Sequence, residues 1–293
     1  MPAGQDIGKA RQWFAEDIKE VAPVVHNTAI VAAFSRVPRE HYLGMGPWGI
    51  HSRLSVGSIH KSASADAHHL YHDVLVSIDE TSGINNGLPS LWALVFDSLN
   101  VKPGATVLQV GAGVGYYTAI LAELVTAQGS VIAYEIEEKL AKRAQENLVH
   151  YPQVRVVSGN ATDAVSFPAF DTIVACAGVT HVPKLWLENL SKDGQMVLPM
   201  TGEDGWGFLM HLARNGDKLP VKSLGPCGFY HCFGARRDDE AKALTTALKS
   251  EEGVRLAIEY YHRGQSRNSA TDAWVVGSTY WISRSRSSAS KDR

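Results

Sequence analysis

"VLQVGAGVGYYTA", residues 107–119, places a run of β-branched and aliphatic residues directly before three glycines in five positions, with an apolar helical pattern following. A strand, a glycine-rich turn and a helix start let backbone approach a ligand closely and face it with helix N–H groups. The alternation continues outward. "ATVLQV" (105–110), "SVIAYE" (130–135), "QVRVVS" (153–158), "DTIVAC" (171–176) and "QMVLPM" (195–200) are short, apolar and mostly β-branched, which predicts strands. Tyr117–Leu124 and Glu137–Leu148, between the first three, carry helical periods, with Leu140, Ala144 and Leu148 four apart on one face. Pro89 suits the first turn of another helix, whose expected apolar stripe is Leu91, Leu94, Val95 and Leu99. The pattern predicts an α/β fold with a doubly wound, mostly parallel sheet.

On the N-terminal side, residues 5–36 read as helical: Trp13, Phe14, Ile18 and Val21 lie near helical spacing, and Val25, Ile30, Ala33 and Phe34 follow Pro23. From Gly44 to Ala67 the chain is rich in Gly, Ser and His without a sustained period, which predicts a long loop or flap. Beyond residue 205, "WGFLMHLA", "FYHCFGA" and "AWVVGSTYWI" read as further strands, with a helix near 239–262 and antiparallel pairing at the end of the sheet. The expected organisation is N-terminal helices and an inserted loop over 1–88, an α/β core over 89–225, C-terminal strands and a helix over 226–283, and a disordered polar tail over 284–293.

The totals narrow the function. With 293 residues and 45% hydrophobic composition, the chain can bury a large core without disulfides or metals. Lys plus Arg number 28 against 30 Asp plus Glu, a formal charge of −2, so neither nucleic acid nor an anionic membrane is an expected partner. Cys176, Cys227 and Cys232 are an odd count without CxxC spacing, which fits reduced thiols in the cytoplasm, with Cys176 read as a small core residue. The first twenty residues lack the apolar region of a signal peptide, and no apolar run reaches the roughly 18 residues of a membrane span.

The turn itself reads Gly111-Ala112-Gly113-Val114-Gly115, GxGxG, whereas the dinucleotide fingerprint is GxGxxG with a pyrophosphate at the helix N-terminus. The GxGxG register is the pattern of enzymes that bind S-adenosylmethionine, although a purely structural tight turn is also compatible with three glycines. Glu135 ends the next predicted strand, where a carboxylate can accept both ribose hydroxyls or simply face solvent. Asn160, in "SGNA" after the third strand, is placed to offer an amide donor and acceptor to an adenine edge, or to serve as a turn residue. Three such stations at successive strand ends make a bound adenosyl group the better account.

With these stations in hand, the sequence resembles the protein-L-isoaspartate O-methyltransferases, divergent members of the class I S-adenosylmethionine-dependent methyltransferases with a Rossmann-like sheet. The carrying residues are "AFSRVPREHYL" (33–43), "YHD" (71–73), "VKPGATVLQVGAGVGYYTAILAEL" (101–124), "VIAYEIEEKLAKRAQENL" (131–148), "SGNA" (158–161) and "FDTIVACAGVTHVPKLWLENLSKDGQMVLPM" (170–200). The resemblance implies S-adenosyl-L-methionine as cofactor and a carboxylate, isoaspartyl or related, as methyl acceptor. It assigns Gly111, Ala112, Gly113 and Gly115 to the cofactor's amino-acid and ribose side, Glu135 to the ribose hydroxyls, and Asn160 with Ala161 to adenine. Gln109, Tyr116 and Ile136 complete the candidate cofactor set.

Several positions depart from the family. It usually carries an acid where this chain has Gln109, and Asp where it has Asn160. Its Gly-x-Thr-Ile-Ser-x-Pro stretch has a serine beside the reacting methyl, but "SGINNGLPS" puts Gly87 there, after Asn85 and Asn86, and these three form the candidate methyl-site loop. A carboxylate acceptor is already ionised at neutral pH and needs no base, whereas an alcohol or amine more often does. His72 and His231 are the candidate bases, with His60, His68 and His69 also available; His231, between aromatics, reads chiefly as a core or pocket histidine. His68 and His72, four apart with Asp73 beside them, resemble a metal pair but lack a third ligand, so no metal is expected. Trp48 is expected in the core or lining a pocket. Alternatives to the isoaspartyl-type enzyme are a small-molecule methyltransferase on the same scaffold and a cofactor-binding protein without isoaspartyl activity.

Overall fold

The computed structural model describes residues 6–22, 27–52, 57–249, 258–264 and 272–284. Val25 and the expected tail beyond Arg284 lie outside the described residues. Seven strands make the central sheet: β1 Thr106–Val110, β2 Ser130–Glu135, β3 Val154–Ser158, β4 Phe170–Ala175, β5 Leu190–Thr201, β6 Trp206–Ala213 and β7 Val221–Gly228. Their order is β7-β6-β5-β4-β1-β2-β3. The pairs β2–β3, β1–β4 and β4–β5 are parallel, while β5–β6 and β6–β7 are antiparallel. This is the expected mostly parallel α/β sheet, and the glycine turn follows β1, the strand at which the order reverses. The chain divides into two compact units, residues 1–106 with 112–159, and residues 107–111 with 160–293.

In the first unit, α1 (Ile7–Val21) is capped by Asp6 and α2 (Thr28–Arg36) by Asn27, each side chain accepting a backbone N–H two residues on. Phe14 and Ile18, continued by the C-cap residue Ala22, form the buried line of α1. Trp13 and Val21, expected on that face, each sit one residue before it; the 100° step turns them outward, leaving Trp13 76% exposed. After α3 (Arg39–Leu43), the segment expected to be a loop contains an antiparallel pair, Gly49–His51 with Ile59–Lys61. A three-residue pair is too short to leave a period in the sequence. Trp48 is buried and donates Nε1–H to the Gly44 carbonyl.

Helix α4 (Pro89–Leu99) buries Trp92, Val95, Phe96 and Leu99, while Leu91 and Leu94 remain half-buried, so the stripe is rotated by one residue from the expected one. Helices α5 (Tyr116–Val125) and α6 (Glu138–Asn147) follow β1 and β2. Gly111, Gly113 and Gly115 all have positive φ, 90°, 56° and 92°. At Gly115, the N-cap of α5, a Cβ would stand 2.8 Å from Leu148 Cδ1. At Gly113 the nearest such contact is ordinary, 3.7 Å to Ile78 Cδ1.

In the second unit, α7 is Lys184–Glu188 and α8 is Asp238–Lys249. Of the helix expected over 239–262, residues 250–257 lie outside the described residues, and Ile258–Arg263 is a strand whose β-branched and aromatic residues suit a sheet better than a helix. That strand joins Ala273–Val276 and Tyr280–Arg284 in a separate three-stranded sheet rather than extending the central one. The expected strand "FYHCFGA" is irregular: β7 precedes it, and Gly234, with φ 78°, breaks extension. Its backbone still bonds to the stretch after β4, through Gly178 N–H to Tyr230 O and Cys232 N–H to Gly178 O. β7 escaped sequence reading because Gly225 and Pro226 interrupt it; as an edge strand it tolerates the missing donor of Pro226.

Two stability measurements check these placements. Gly115→Ala should destabilise the protein by about 1–3 kcal/mol in chemical denaturation, and more than Gly113→Ala, whose φ falls in the left-handed well; equal or negligible losses would contradict the turn geometry. His211 on β6 is 7% exposed, its Nε2 2.7 Å from Gln195 Oε1, and burial, aided by Lys222, lowers its pKa to about 4. Its contribution is therefore complete above the ordinary histidine value of 6.5 and is lost as pH falls toward about 4, because only the unfolded chain takes the proton freely. His211→Gln should flatten the stability–pH curve over that window by on the order of 3 kcal/mol. Parallel curves for the two proteins would contradict it.

Candidate functional site

The first unit contributes the turn and its carboxylate. Glu135 closes β2 and is 6% exposed; its Oε2 accepts Gly113 N–H at 2.7 Å and its Oε1 accepts Glu137 N–H at 3.0 Å. Burial raises its pKa above the ordinary carboxylate value, opposed by those two backbone donors. Each oxygen accepts one backbone bond and keeps a second lone-pair site. Ile136 beside it is 44% exposed, and Ala112 donates its N–H to the Tyr134 carbonyl at 3.0 Å.

Tyr116 points elsewhere. Its ring is buried among Phe34, Tyr42 and Tyr117, with the Arg39 guanidinium 5.6 Å from its centroid, so its side chain belongs to the helical core and its backbone to the start of α5. Arg39, from "VPRE", is fully buried and donates to the carbonyls of Leu70, His72 and Val74. Next to these carbonyls Asp73 turns inward, where it accepts both Ser90 N–H (2.9 Å) and Ser90 Oγ–H (2.8 Å) and so caps α4.

A short hairpin, Ser77–Asp79 with Ile84–Asn85, leads into the candidate loop, and its Ile78 is the residue facing Gly113. Asn86 is 7% exposed and donates its N–H to the Val76 carbonyl at 2.8 Å. Asn85 Oδ1 accepts Gly87 N–H at 2.8 Å, and Tyr117 donates its hydroxyl to the Gly87 carbonyl at 3.0 Å. Gly87 itself has φ 74°, and a Cβ there would stand 2.3 Å from Trp92 Nε1.

In the second unit, Gln109 is 1% exposed; its Nε2 lies 3.4 Å from the Gly111 carbonyl and its Oε1 has no partner among the described residues. Cys176, expected in the core, is only partly buried and lies 3.7 Å from that Nε2, because it follows the last residue of β4. Asn160 Oδ1 accepts Thr162 N–H at 3.0 Å, and the buried Ala161 offers its carbonyl to Trp186 Nε1. Gly234 lies against this pair of turns, since a Cβ there would be 2.7 Å from Asn160 Nδ2.

The histidines do not gather. His68 sits in a 3-10 turn, Ala67–Leu70, that ends before His72, so the two do not share a helix face, and Asp73 is engaged by Ser90. His60, His72 and His231 are exposed, which corrects the core reading of His231: its segment leaves the sheet after β7. Partial desolvation of the ring, and then Arg236, lower the His231 pKa. Sequence reasoning missed Ile78, Trp92 and Asp73 as parts of the loop's support. "NNG" signals a turn, but nothing in it signals which side chain occupies the space above the glycine.

Comparison with known proteins gives the family. The sequence model described as protein-L-isoaspartate(D-aspartate) O-methyltransferase matches residues 15–233. The protein-L-isoaspartate O-methyltransferase of Methanopyrus kandleri is 30% identical over 231 residues, 77% of this chain and 92% of the relative. That of Ignicoccus hospitalis is 32% identical over 165 residues, 55% of this chain and 77% of its own length. Among solved structures, a protein-L-isoaspartate O-methyltransferase aligns with a TM-score of 0.64 at 19% identity, over 94% of this chain and 88% of its own. One described as the Plasmodium falciparum enzyme in complex with S-adenosyl-L-homocysteine aligns with a TM-score of 0.60 at 19% identity, over 76% and 97%. Matched over most of its length, from α1 to the segment beyond β7, the chain belongs to the protein-L-isoaspartate(D-aspartate) O-methyltransferase family.

Proposed function

We propose that this protein transfers a methyl group from S-adenosyl-L-methionine to a carboxylate of a peptide or protein, with the isoaspartyl group named for its relatives as the acceptor. The observation that carries this reading is the Glu135 carboxylate. With one backbone N–H on each oxygen, it has one lone-pair site left on each, the capacity that two ribose hydroxyls require. The turn beside it bears no side chain at Gly113, which leaves backbone to meet the cofactor. In this reading Gly111, Ala112, Gly113 and Gly115 take the amino-acid and ribose side, and Asn160 with Ala161 takes adenine. Gln109, whose buried Oε1 has no partner among the described residues, adds an acceptor near the turn, and Tyr116 and Ile136 serve through backbone and edge.

Bound S-adenosylmethionine supplies a methyl group on a positively charged sulfur. The acceptor carboxylate, with a reference pKa near 4, is ionised at neutral pH and gives up no proton, so none of the exposed histidines is needed as a base. What remains for the chain is to align a carboxylate oxygen with the methyl and to exclude water while the new carbon–oxygen bond forms and the carbon–sulfur bond breaks. A cytoplasmic setting belongs to this reading, supported by three cysteines that are thiols and not disulfides. Among the described residues, no helix is long and apolar enough to cross a membrane. One observation favours the small-molecule alternative: position 87 has neither a hydroxyl nor room for one.

Labelled S-adenosylmethionine and an isoaspartyl peptide test the reading. Label transferred to the peptide and released in mild base is the expected result, since a methyl ester hydrolyses; base-stable label would favour another acceptor chemistry, and no transfer would contradict the proposal. Glu135→Ala should weaken S-adenosylmethionine binding by about 1–3 kcal/mol in calorimetry, through loss of charge-assisted hydrogen bonds. Unchanged affinity would remove the ribose assignment.

A further inference from the structure

The loop from Asn85 to Gly87 is held against the helix that begins at the glycine turn. Tyr117, the second residue of α5, donates to the Gly87 carbonyl, and the hairpin preceding the loop sets Ile78 against Gly113. A methyl acceptor reaching the turn from this side meets residues 85–87. Its expected hydrogen-bond donor, a hydroxyl at position 87, is excluded twice. Gly87 has φ 74°, which L side chains rarely adopt, and the space above it is filled by the Trp92 indole, 2.3 Å from Nε1 and 3.1 Å from Cδ1. Trp92 cannot readily yield: it is 3% exposed, with its ring 5.3 Å from Tyr117 and 6.0 Å from Phe96.

One polar side chain in the loop stands out. Asn86 is more than nine-tenths buried, and its Nδ2 has no hydrogen-bond partner among the described residues. A buried amide donor without an acceptor is unfavourable, and an apolar residue of the same shape would avoid the penalty. A ligand carboxylate or carbonyl oxygen would accept one of the amide's N–H groups and remove the larger part of that penalty.

We propose that Asn86 is the acceptor-binding residue of this chain, its Nδ2 donating to the acceptor carboxylate in place of a hydroxyl that Trp92 bars from position 87. This rests on the carboxyl methyltransferase reading above. Because the donor is neutral, it orients the carboxylate without drawing off the charge that makes it nucleophilic. The pairing of Gly87 with Trp92 is then a specificity feature, fixing the loop so that residue 86, rather than 87, serves the acceptor.

Steady-state kinetics on the full chain with an isoaspartyl peptide, alongside calorimetry with S-adenosyl-L-homocysteine, separate the roles. Asn86→Leu should raise KM for the peptide by about tenfold or more, while S-adenosyl-L-homocysteine affinity stays within about twofold of wild type. Asn86→Asp, of the same shape, should be worse still, because it opposes one carboxylate with another; it also replaces the leucine variant if that one fails to fold. Gly87→Ser, which would restore the hydroxyl, should lower kcat/KM rather than raise it. Wild-type peptide KM in both Asn86 variants, or a gain of activity in Gly87→Ser, would overturn this proposal while wild-type turnover leaves the methyltransferase reading intact. A wild-type protein that does not methylate the peptide would overturn both.

Discussion

The hydrogen bond from Gly113 N–H to the Glu135 carboxylate is the constraint on which the turn depends. A turn built from three residues at positive φ leaves N–H groups without helical or sheet partners, and buried donors must be satisfied. Glu135 takes one such donor from the turn after β1 and another from Glu137, just past β2. One side chain therefore ties together the turn and the entry to α6. Its burial raises its pKa, so in isolation the ionised form is held by backbone donors, those of Glu137 and Gly113 foremost. Hydroxyl donors from a ligand would stabilise the charged form further, so under the proposed function the residue that clasps the turn would also bind the ribose.

A second constraint supports the loop at residues 85–87. Arg39 is fully buried, its guanidinium 5.5 Å from the Phe14 ring centroid and 5.6 Å from that of Tyr116, while its N–H groups hold three carbonyls between residues 70 and 74. That stretch presents Asp73 to the first turn of α4, and α4 carries the Trp92 that closes the space above Gly87. The chain of dependence runs from the "VPRE" motif through a capped helix to the conformation of one glycine. Substitutions far from the loop thus bear on its geometry.

Much of this was legible in residue pattern alone. β1 to β4 and the helices between the first three fall within a residue or two of their expected bounds, because alternating β-branched runs and helical periods report burial directly. Spacing alone puts Glu135 and the glycines at strand ends, where the structure has them. What escaped depends on contacts between distant segments. Gly225 and Pro226 disguised β7, and "FYHCFGA" is apolar yet irregular because it lies along the backbone after β4 instead of pairing in the sheet. Asn86 was visible as one of three loop candidates. That Trp92 occupies the place of a side chain at position 87 is a packing fact, and no periodicity in "GLPSLW" encodes it.

The most direct measurement is a crystal structure of the protein soaked with S-adenosyl-L-homocysteine. The account predicts density across the Gly113–Gly115 turn, with both ribose hydroxyls on Glu135 and the Gly113 N–H bond retained. An empty turn, or a nicotinamide dinucleotide seated there in preference, would contradict it.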